Sequence, residues 1–419
     1  MCVARFPDAI RALTLVCLAA AQLPAQRVTL RGASNVELPT IIDGNSAAFW
    51  SEKGLTLFHS SGVPTLSRGS DQFTLGAAQS IAFDSPNKPV WFEAAWRDED
   101  GTLFLWYHHE PGGVCGNGLT APKIGAAVSY DDGATVRDLG IVLESSEHPD
   151  CSAKNGFFAG GHGDASVILD RDKQYFYFFF TNYGGPAEQQ GVSVARMAFE
   201  NRFHPSGAVM KYFDRDWSEP GLGGRQSPIF KASRAWEFEN ADSFWGPSVH
   251  WNRHLERYVI FLNRACCSPG WPQEGVYFAI HNDLANPSGW IEPVKLMSRE
   301  MIPWGPGWYP QVLGLDPGDT DSVAGQVARF YVHGKSIWEI EFSRPEENPQ
   351  EPGPTEPENP DSDECSQTSS VLHPDPTSPD CAAVRIRTKT RNSNGSPSRE
   401  VLPPSSRALI YGSERPGSH

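Results

Sequence analysis

The sequence has 419 residues, with 50 Asp and Glu against 35 Lys and Arg, and a formal net charge of −15 at pH 7. It is rich in residues that make turns and aromatic surfaces, with 39 Gly, 35 Pro and 13 Trp. An acidic, aromatic-rich chain is poorly suited to bind nucleic acid or an anionic membrane surface, and it favours a neutral or weakly polar ligand.

The first 25 residues predict a secretory signal peptide. Arg5 and Arg11 precede an apolar run at 12–21, and small residues continue to Ala25. The run is too short to span a bilayer as a helix, and no later stretch is long and apolar enough to do so. We therefore expect an exported protein, secreted or periplasmic, without a membrane span.

The cysteines after the predicted signal peptide indicate disulfide bonds. An even number of cysteines in an oxidising compartment favours pairing, and none of them has the CxxC spacing of a zinc site. Cys115 and Cys151 are expected to staple a loop, and Cys365 and Cys381 could close another. The adjacent Cys266 and Cys267 either form a ring with each other or pair elsewhere.

From Arg27 to Phe342, short apolar and aromatic runs alternate with Gly, Pro and Asp turns, which predicts an all-β domain. One unit recurs, a strand, a polar turn and an aromatic-rich strand. Its copies are Asp43–Ser60, Trp91–His108, Gly160–Tyr183, Trp245–Asn263 and, more weakly, Tyr309–Val332. Such repeats predict a five-bladed β-propeller over residues 27–342. A sandwich array, or a propeller of six or seven blades, is the alternative.

The last part of the chain changes in composition. Pro and Glu dominate residues 343–360, and Ser and Pro dominate the stretch that follows. Such a segment cannot bury enough apolar surface to form a core. Residues 343–419 are therefore predicted to be a disordered tail. Separately, we expect the protein to be a monomer.

The first strand of each blade lines the central funnel of a propeller, so residues at the strand mouths can face one cavity. In chain order these positions hold Asp43, Glu93, Asp164, Trp245 and Tyr309. Three carboxylates and two aromatic rings are typical of a sugar site with acid–base chemistry. Glycosidic cleavage requires one carboxyl group that donates a proton and one that is ionised, and crowded carboxylates shift one pKa upward.

The blade pattern and these residues resemble the five-bladed propeller glycoside hydrolases of the family 43, 32, 62 and 68 group, which cleave furanosides and xylosides. The resemblance implies that Asp43 in DGNSAAFW is the base or nucleophile. It also implies that Asp164 in GDASVILD tunes pKa values or stabilises the transition state. WGPSVHW resembles the segment that carries the general acid, but Trp245 stands where the acid Glu is expected, and Ala165 replaces a proline.

Several assignments stay open at this point. Glu93 is the tentative proton donor, Glu237 or Glu239 could reach the site instead, or the protein lacks a general acid and only binds carbohydrate. Asp43 before Gly44 is also a normal turn residue. The side chains expected to contact the ligand, by stacking or hydrogen bonding, are Trp245, Tyr309, His108, His162, Asn263 and Arg264.

No metal site is predicted, because buried or edge histidines are commoner than ligands in such a pattern. The resemblance allows a calcium ion on the propeller axis, although the sequence shows no ligand set for it.

A second resemblance concerns Ser129–Val136, SYDDGATV, which is similar to the Asp-box turn of sialidases with valine in place of its tryptophan. That turn is a structural element at the rim of a blade. A sialidase-like protein is therefore an alternative, although few arginines occur at the strand mouths. A scaffold for protein partners, without a small ligand, is a further class.

Overall fold

The computed structural model describes residues 27–344. The predicted signal peptide, the predicted tail beyond residue 344, Cys365 and Cys381 lie outside the described residues. Residues 27–344 form five β-sheets that correspond to the five predicted units. The predicted five-bladed β-propeller is thereby confirmed. No helix within these residues is long and apolar enough to cross a membrane.

The strands follow the chain blade by blade. The first strand is β1 (Arg27–Glu37). Blade 1 contains β2 (Ala48–Ser51), β3 (Gly54–His59), β4 (Thr65–Gly69) and β5 (Gln79–Ser80). Blade 2 contains β6 (Ala82–Asp84), β7 (Val90–Arg97), β8 (Leu103–His109), β9 (Lys123–Ser129) and β10 (Thr135–Leu143). Blade 3 contains β11 (His162–Leu169), β12 (Tyr175–Asn182), β13 (Gly191–Ala198), β14 (Val209–Phe213), β15 (Asp216–Pro220) and β16 (Phe230–Lys231).

Blade 4 contains β17 (Ser243–Asn252), β18 (Arg257–Ala265), β19 (Gln273–His281) and β20 (Val294–Ser298). Then comes β21 (Pro310–Gly314) of blade 5, followed by the short β22 (Val323–Ala324), which pairs with β17 of blade 4. Blade 5 ends with β23 (Val327–Val332) and β24 (Lys335–Ser343). Short 3-10 helices occupy Ala187–Gln189, Phe199–Phe203, Pro287–Gly289 and Arg299–Met301.

The two ends of the domain meet in blade 5. Strand β1 pairs antiparallel with β24, from Arg27 opposite Ser343 to Glu37 opposite Lys335. The sheet order is β1-β24-β23-β21, so the first strand of the domain is the outermost strand of the last blade. Pairing between the first and last strands of the described domain therefore closes the ring.

Aromatic side chains fill the spaces between blades. Strand β12, YFYFFFTN, is buried along nearly its whole length. On one side Phe176 and Phe178 pack with Trp106 of blade 2, and on the other Phe179 packs in the core shared with blade 4. A strand covered on both faces needs apolar residues at consecutive positions, which explains the uninterrupted aromatic run in the sequence.

The expected staple is present as a Cys115–Cys151 disulfide, with Cα atoms 5.5 Å apart and a sequence separation of 36. It joins the loop after β8 to the loop after β10. Cys266 and Cys267 form a disulfide with each other, the first of the two arrangements that the sequence allowed.

Replacing both Cys115 and Cys151 by serine is expected to lower the free energy of unfolding by about 2–4 kcal/mol, because the crosslink restricts the unfolded chain. Denaturant unfolding of the full chain, measured for the oxidised wild type and the double variant, checks this. The single variant Cys115→Ser, which leaves one free thiol, should show a similar loss. An unchanged unfolding midpoint would contradict the expectation.

The Asp-box-like segment forms the turn between β9 and β10. Asp131 accepts hydrogen bonds from the backbone N–H of Thr135 at 2.9 Å and from its hydroxyl at 2.7 Å. The Ser129 hydroxyl accepts the N–H of Gly133 at 2.8 Å. These contacts are internal to the turn, so this segment has a local structural role.

Candidate active site in the propeller funnel

The inner strands of blades 2, 3 and 4 each carry a β-bulge where a site residue is expected. The strand registers shift within the segments Phe92–Ala94, Gly163–Ser166 and Trp245–Ser248. A bulge bends its strand and redirects side chains, and bulges are common beside active sites. Glu93 and Asp164 lie inside two of these segments, so both carboxylates depart from the regular alternation of their strands.

The bulge in β11 also frees two backbone N–H groups for side chains of blade 2. Asp164, with φ of 43°, donates its N–H to Nδ1 of His108 at 3.2 Å. Ala165 donates its N–H to Oε2 of Glu93 at 2.6 Å. The inner strand of blade 3 is thereby joined to both an imidazole and a carboxyl group of blade 2.

His108 lies at the centre of a cluster of carboxyl groups. Its Nδ1 is 3.8 Å from Oε1 of Glu93 and 3.9 Å from Oδ1 of Asp164. Its Nε2 is 3.5 Å from Oε1 of Glu110. The hydroxyl of Tyr183 donates to Oδ2 of Asp164. Groups from blades 2 and 3 thus meet around one ring.

Asp43 of blade 1 faces the same cluster. The residue is exposed, and Trp91, Tyr309 and His108 lie around its carboxyl group. Its charge also raises the pKa of Glu93 and that of Asp164. The structure therefore brings Asp43, Glu93 and Asp164, the three carboxylates named from the sequence, to one place.

The residues after Asp43 explain how the blades can approach so closely. A Cβ atom on Gly44 would lie 2.7 Å from Oε1 of Glu93 and 2.5 Å from Oγ of Ser60, so a larger residue would displace the Glu93 carboxyl group. The Asn45 side-chain amide donates to the carbonyls of Ala165 at 3.0 Å and Pro247 at 2.8 Å. Asn45 thus ties blade 1 to blades 3 and 4 beneath the carboxyl groups.

Burial raises the pKa values of the clustered carboxyl groups. It raises the pKa of Glu93 to about 8, with a further increase from the charge of Asp43. It raises the pKa of Asp164 to about 6 and that of Glu110 to about 7, each against a lowering by His108. The pKa of Asp43 is also raised by burial and lowered by His108. The cluster can therefore hold both protonated and ionised carboxyl groups near neutral pH.

Trp245 fills the blade 4 position where the resemblance predicts an acidic residue. Its side chain is 1% exposed and packs against Trp271, Trp308 and Tyr309, with ring centroids 5.3–5.5 Å apart. Tyr309 is also buried. Sugar stacking on these two rings stays a prediction, and it would require this aromatic cluster to open.

The other residues expected to contact ligand have protein partners. His162 is buried, and its Nε2 lies 2.9 Å from Nζ of Lys211. Asn263 accepts the N–H of Tyr309 at 3.1 Å, and Arg264 pairs with Asp242 at 2.9 Å. None of these contacts is made directly with Asp43, Glu93, Asp164 or Glu110, and the ligand-binding roles of His162, Asn263 and Arg264 stay predictions.

Neither of the two acidic residues considered upstream of Trp245 is among the main groups that shift the pKa values of Asp43, Glu93 and Asp164. Glu237 accepts the side-chain amide of Gln190 at 3.0 Å and lines a cavity of about 190 Å³ that Tyr183 borders on one side. Glu239 is exposed.

Three residues of the site were not identified from the sequence: Trp91, Glu110 and Tyr183. Each one adjoins a feature that was recognised. Trp91 precedes Glu93 by two positions, Glu110 directly follows the His108–His109 pair, and Tyr183 directly follows the aromatic strand. The available signal was a polar or aromatic residue at the mouth end of the hairpins.

One group of potential metal ligands coincides with this cluster. Ligand atoms of Glu93, His108 and Asp164 lie within 4.8 Å of one another. However, Oε2 of Glu93, Nδ1 of His108 and Oδ2 of Asp164 are already engaged by protein donors. These contacts link the three side chains into a hydrogen-bonded cluster of carboxyl groups around an imidazole.

The raised pKa of Glu93 predicts a specific dependence of stability on pH. In the unfolded chain Glu93 has its ordinary pKa of 4.5, and in the fold its pKa is about 8. Between these values the folded state keeps a proton that the unfolded state has released. The free energy of unfolding therefore falls as pH rises through this window, by up to about 1.4 kcal/mol per pH unit for this group.

The variant Glu93→Gln has no carboxyl group to titrate at this position. Its free energy of unfolding should therefore decline less steeply between pH 5 and pH 8. Its amide oxygen can still accept the N–H of Ala165. Denaturant unfolding at several pH values measures both slopes, and Glu99→Gln on the surface is the control. Parallel slopes for wild type and Glu93→Gln would contradict the assignment.

The fold and the site together define a class of protein. It is a five-bladed β-propeller with a cluster of carboxyl groups at the mouths of its inner strands. Solved structures similar to this chain include family-43 glycoside hydrolases, the group that the sequence resembles. A thermostable family-43 glycoside hydrolase matches with a TM-score of 0.42 and 13% identity, covering 75% of this chain and 90% of that one. No family model and no curated protein matches the chain.

Two further similar structures are those of enzymes with a named activity. An endo-arabinase from Bacteroides thetaiotaomicron has a TM-score of 0.44 and 11% identity, covering 75% of this chain and 96% of that one. An exo-β-1,3-galactanase from Clostridium thermocellum has a TM-score of 0.43 and 11% identity, covering 74% of this chain and 62% of that one.

Proposed function

We propose that this protein is an exported glycoside hydrolase that cleaves a furanoside-like or xyloside-like linkage in its funnel. The observation that supports this is the convergence of Asp43, Glu93 and Asp164 from three blades around His108. Their raised pKa values allow an acid and a base to coexist near neutral pH, as glycosidic cleavage requires. The Cys115–Cys151 disulfide is compatible with an oxidising compartment.

In this proposal Asp43 is the base or nucleophile, because it is an exposed residue at the mouth of the cluster while Glu93 and Asp164 are buried. Asp164 has a supporting role. Held by the Tyr183 hydroxyl and close to His108, it adjusts the charge around the reacting groups. The cluster lies among aromatic rings and carries no excess of positive charge, so it suits a neutral sugar better than an acidic one.

The proposal is tested by screening the full chain against arabinan, xylan and β-1,3-galactan, with release of reducing sugar as the measurement. Asp164→Asn is expected to lower kcat by about 100-fold, because it removes a charge that the buried cluster is built around. A matched control, Asp172→Asn, changes an exposed residue in the turn at the opposite end of β11 and should leave the rate unchanged. Equal rates for wild type and Asp164→Asn would remove the assigned site.

A second function is a carbohydrate-binding propeller without catalysis. The buried position of Trp245, where the resemblance predicts the acid, is the observation that favours it. It predicts glycan binding by calorimetry with no turnover by wild type. A sialidase-like protein is less well supported, since no arginine is among the main groups that shift the pKa values of Asp43, Glu93 and Asp164.

A further inference from the structure

We infer that Glu110, rather than Glu93, is the residue that donates a proton to the glycosidic oxygen. This inference rests on the hydrolysis proposed above and assigns the role that Trp245 leaves vacant in blade 4.

Glu93 is in a poor position to reach a substrate. Its side chain is 2% exposed, and Oε2 is held by the N–H of Ala165 at 2.6 Å. Oε1 lies where Gly44 and Ser60 close over it, since a Cβ on Gly44 would be 2.7 Å away. To protonate a bound glycoside, Glu93 would have to leave this buried position.

Glu110 lies at the opening of the same cluster. It directly follows β8, whose last residue His109 is paired with Val90 at the start of the inner strand β7, so Glu110 is at the mouth end of blade 2. Its side chain is 28% exposed, and Oε1 is 3.5 Å from Nε2 of His108. Glu110 and Asp43 are therefore the carboxyl groups of this cluster that solvent, and hence a substrate, can reach.

The surroundings of Glu110 suit a proton donor. Burial raises its pKa to about 7, His108 lowers it, and Asp164, Asp43 and Glu93 raise it further. His108 accepts the N–H of Asp164 through Nδ1, and its other ring nitrogen, Nε2, is the one that faces Glu110. A carboxylic acid with a pKa near the working pH is partly protonated yet acidic enough to donate.

The O–H of Glu110 transfers its proton to the glycosidic oxygen while the bond from that oxygen to the anomeric carbon breaks. In one route the anomeric carbon bonds to the oxygen of water, whose proton passes to the Asp43 carboxylate. In the other it bonds first to the Asp43 carboxylate, and water, which gives its proton to the Glu110 carboxylate, then displaces Asp43. Both routes give a reducing sugar and an alcohol. In the direct route Asp43 releases its proton to solvent and Glu110 takes one up from solvent, whereas in the covalent route Glu110 has already regained its proton from water.

The test compares two substrates that differ in their need for a proton donor. One is a disaccharide, arabinobiose or xylobiose. The other is the 2,4-dinitrophenyl glycoside of the same sugar, whose leaving group departs without protonation. Glu110→Gln, Glu93→Gln, Glu237→Gln and the surface control Glu99→Gln are measured in the full chain, with thermal unfolding to confirm that each variant folds.

We expect Glu110→Gln to lower kcat/KM about 100- to 1,000-fold on the disaccharide and less than about 10-fold on the dinitrophenyl glycoside. The fall of kcat/KM as pH rises through about 7 should also disappear in this variant.

Other outcomes reject the assignment. Equal losses on both substrates, or the substrate difference appearing in Glu93→Gln or Glu237→Gln instead, would overturn the donor role of Glu110 while leaving hydrolysis intact. A wild type that cleaves neither substrate, nor any glycan of the screen, would overturn hydrolysis and the donor role together.

Discussion

Asp43→Asn is expected to lower kcat/KM about 1,000- to 10,000-fold on any glycan that the wild type cleaves. An amide neither accepts the proton of the attacking water nor bonds to the anomeric carbon, so the variant loses base and nucleophile at once. The shape of the site should remain, because the Asp43 N–H donates to the Ser60 carbonyl through the backbone. Initial rates at saturating substrate give kcat and those at limiting substrate give kcat/KM, which separates a loss of chemistry from a loss of binding.

Substrate binding should change little in Asp43→Asn, since the amide keeps the volume of the carboxylate and relieves repulsion with Glu93. Calorimetry with an oligosaccharide measures this directly. A variant that binds normally but does not turn over would support a chemical role. Loss of binding and turnover in parallel would instead make Asp43 a residue that only holds the ligand, and retained turnover would remove it from the mechanism.

The architecture was accessible from the sequence because each blade is built from strands that are neighbours in the chain. The polar turns between aromatic strands mark hairpins wherever they occur, and five such hairpins fix the number of blades. Asp43, Glu93 and Asp164 could be named for the same reason, since the start of each inner strand can be read from its hairpin.

The closure of the ring could not be predicted in this way. Strand β1 pairs with a strand more than 300 residues later in the sequence, Arg27 with Ser343. Its residues alternate between exposed and half-buried, a weak pattern that does not identify a partner. Local periodicity gives the presence of a strand, but long-range pairing is decided by the whole fold.

The details of the site were hidden for a different physical reason. A bulge adds one residue to a strand, and Phe92, Glu93 and Ala94 are all buried, so no alternation in the sequence marks where the chain bends. Glu110 follows a strand buried throughout and looks like an ordinary loop residue. Glu110 belongs to the site because it lies close to His108. The position of the His108 ring is in turn held by the hydrogen bond from Asp164 of blade 3.

The second large effect that we expect is a loss of stability when the aromatic cluster around Trp271 is truncated. Trp271 is 3% exposed and contacts the rings of Trp236, Trp245 and Tyr183, with centroids 4.5, 5.3 and 5.4 Å away. Trp271→Ala should lower the free energy of unfolding by about 3–5 kcal/mol, because it leaves a cavity among buried rings that can collapse only partly. Denaturant unfolding measures the loss.

The cavity left by Trp271→Ala should also lower the rate of turnover. Tyr183 stacks on Trp271 and donates its hydroxyl to Asp164, so a loosened ring weakens the support of a buried carboxyl group. Trp290→Ala is the matched control, since Trp290 packs against Phe179 and His281 in the core between blades 3 and 4. Both variants should be less stable, but only Trp271→Ala should lose turnover at temperatures where it remains folded. Equal turnover in the two would show that the aromatic cluster supports the fold without positioning Asp164.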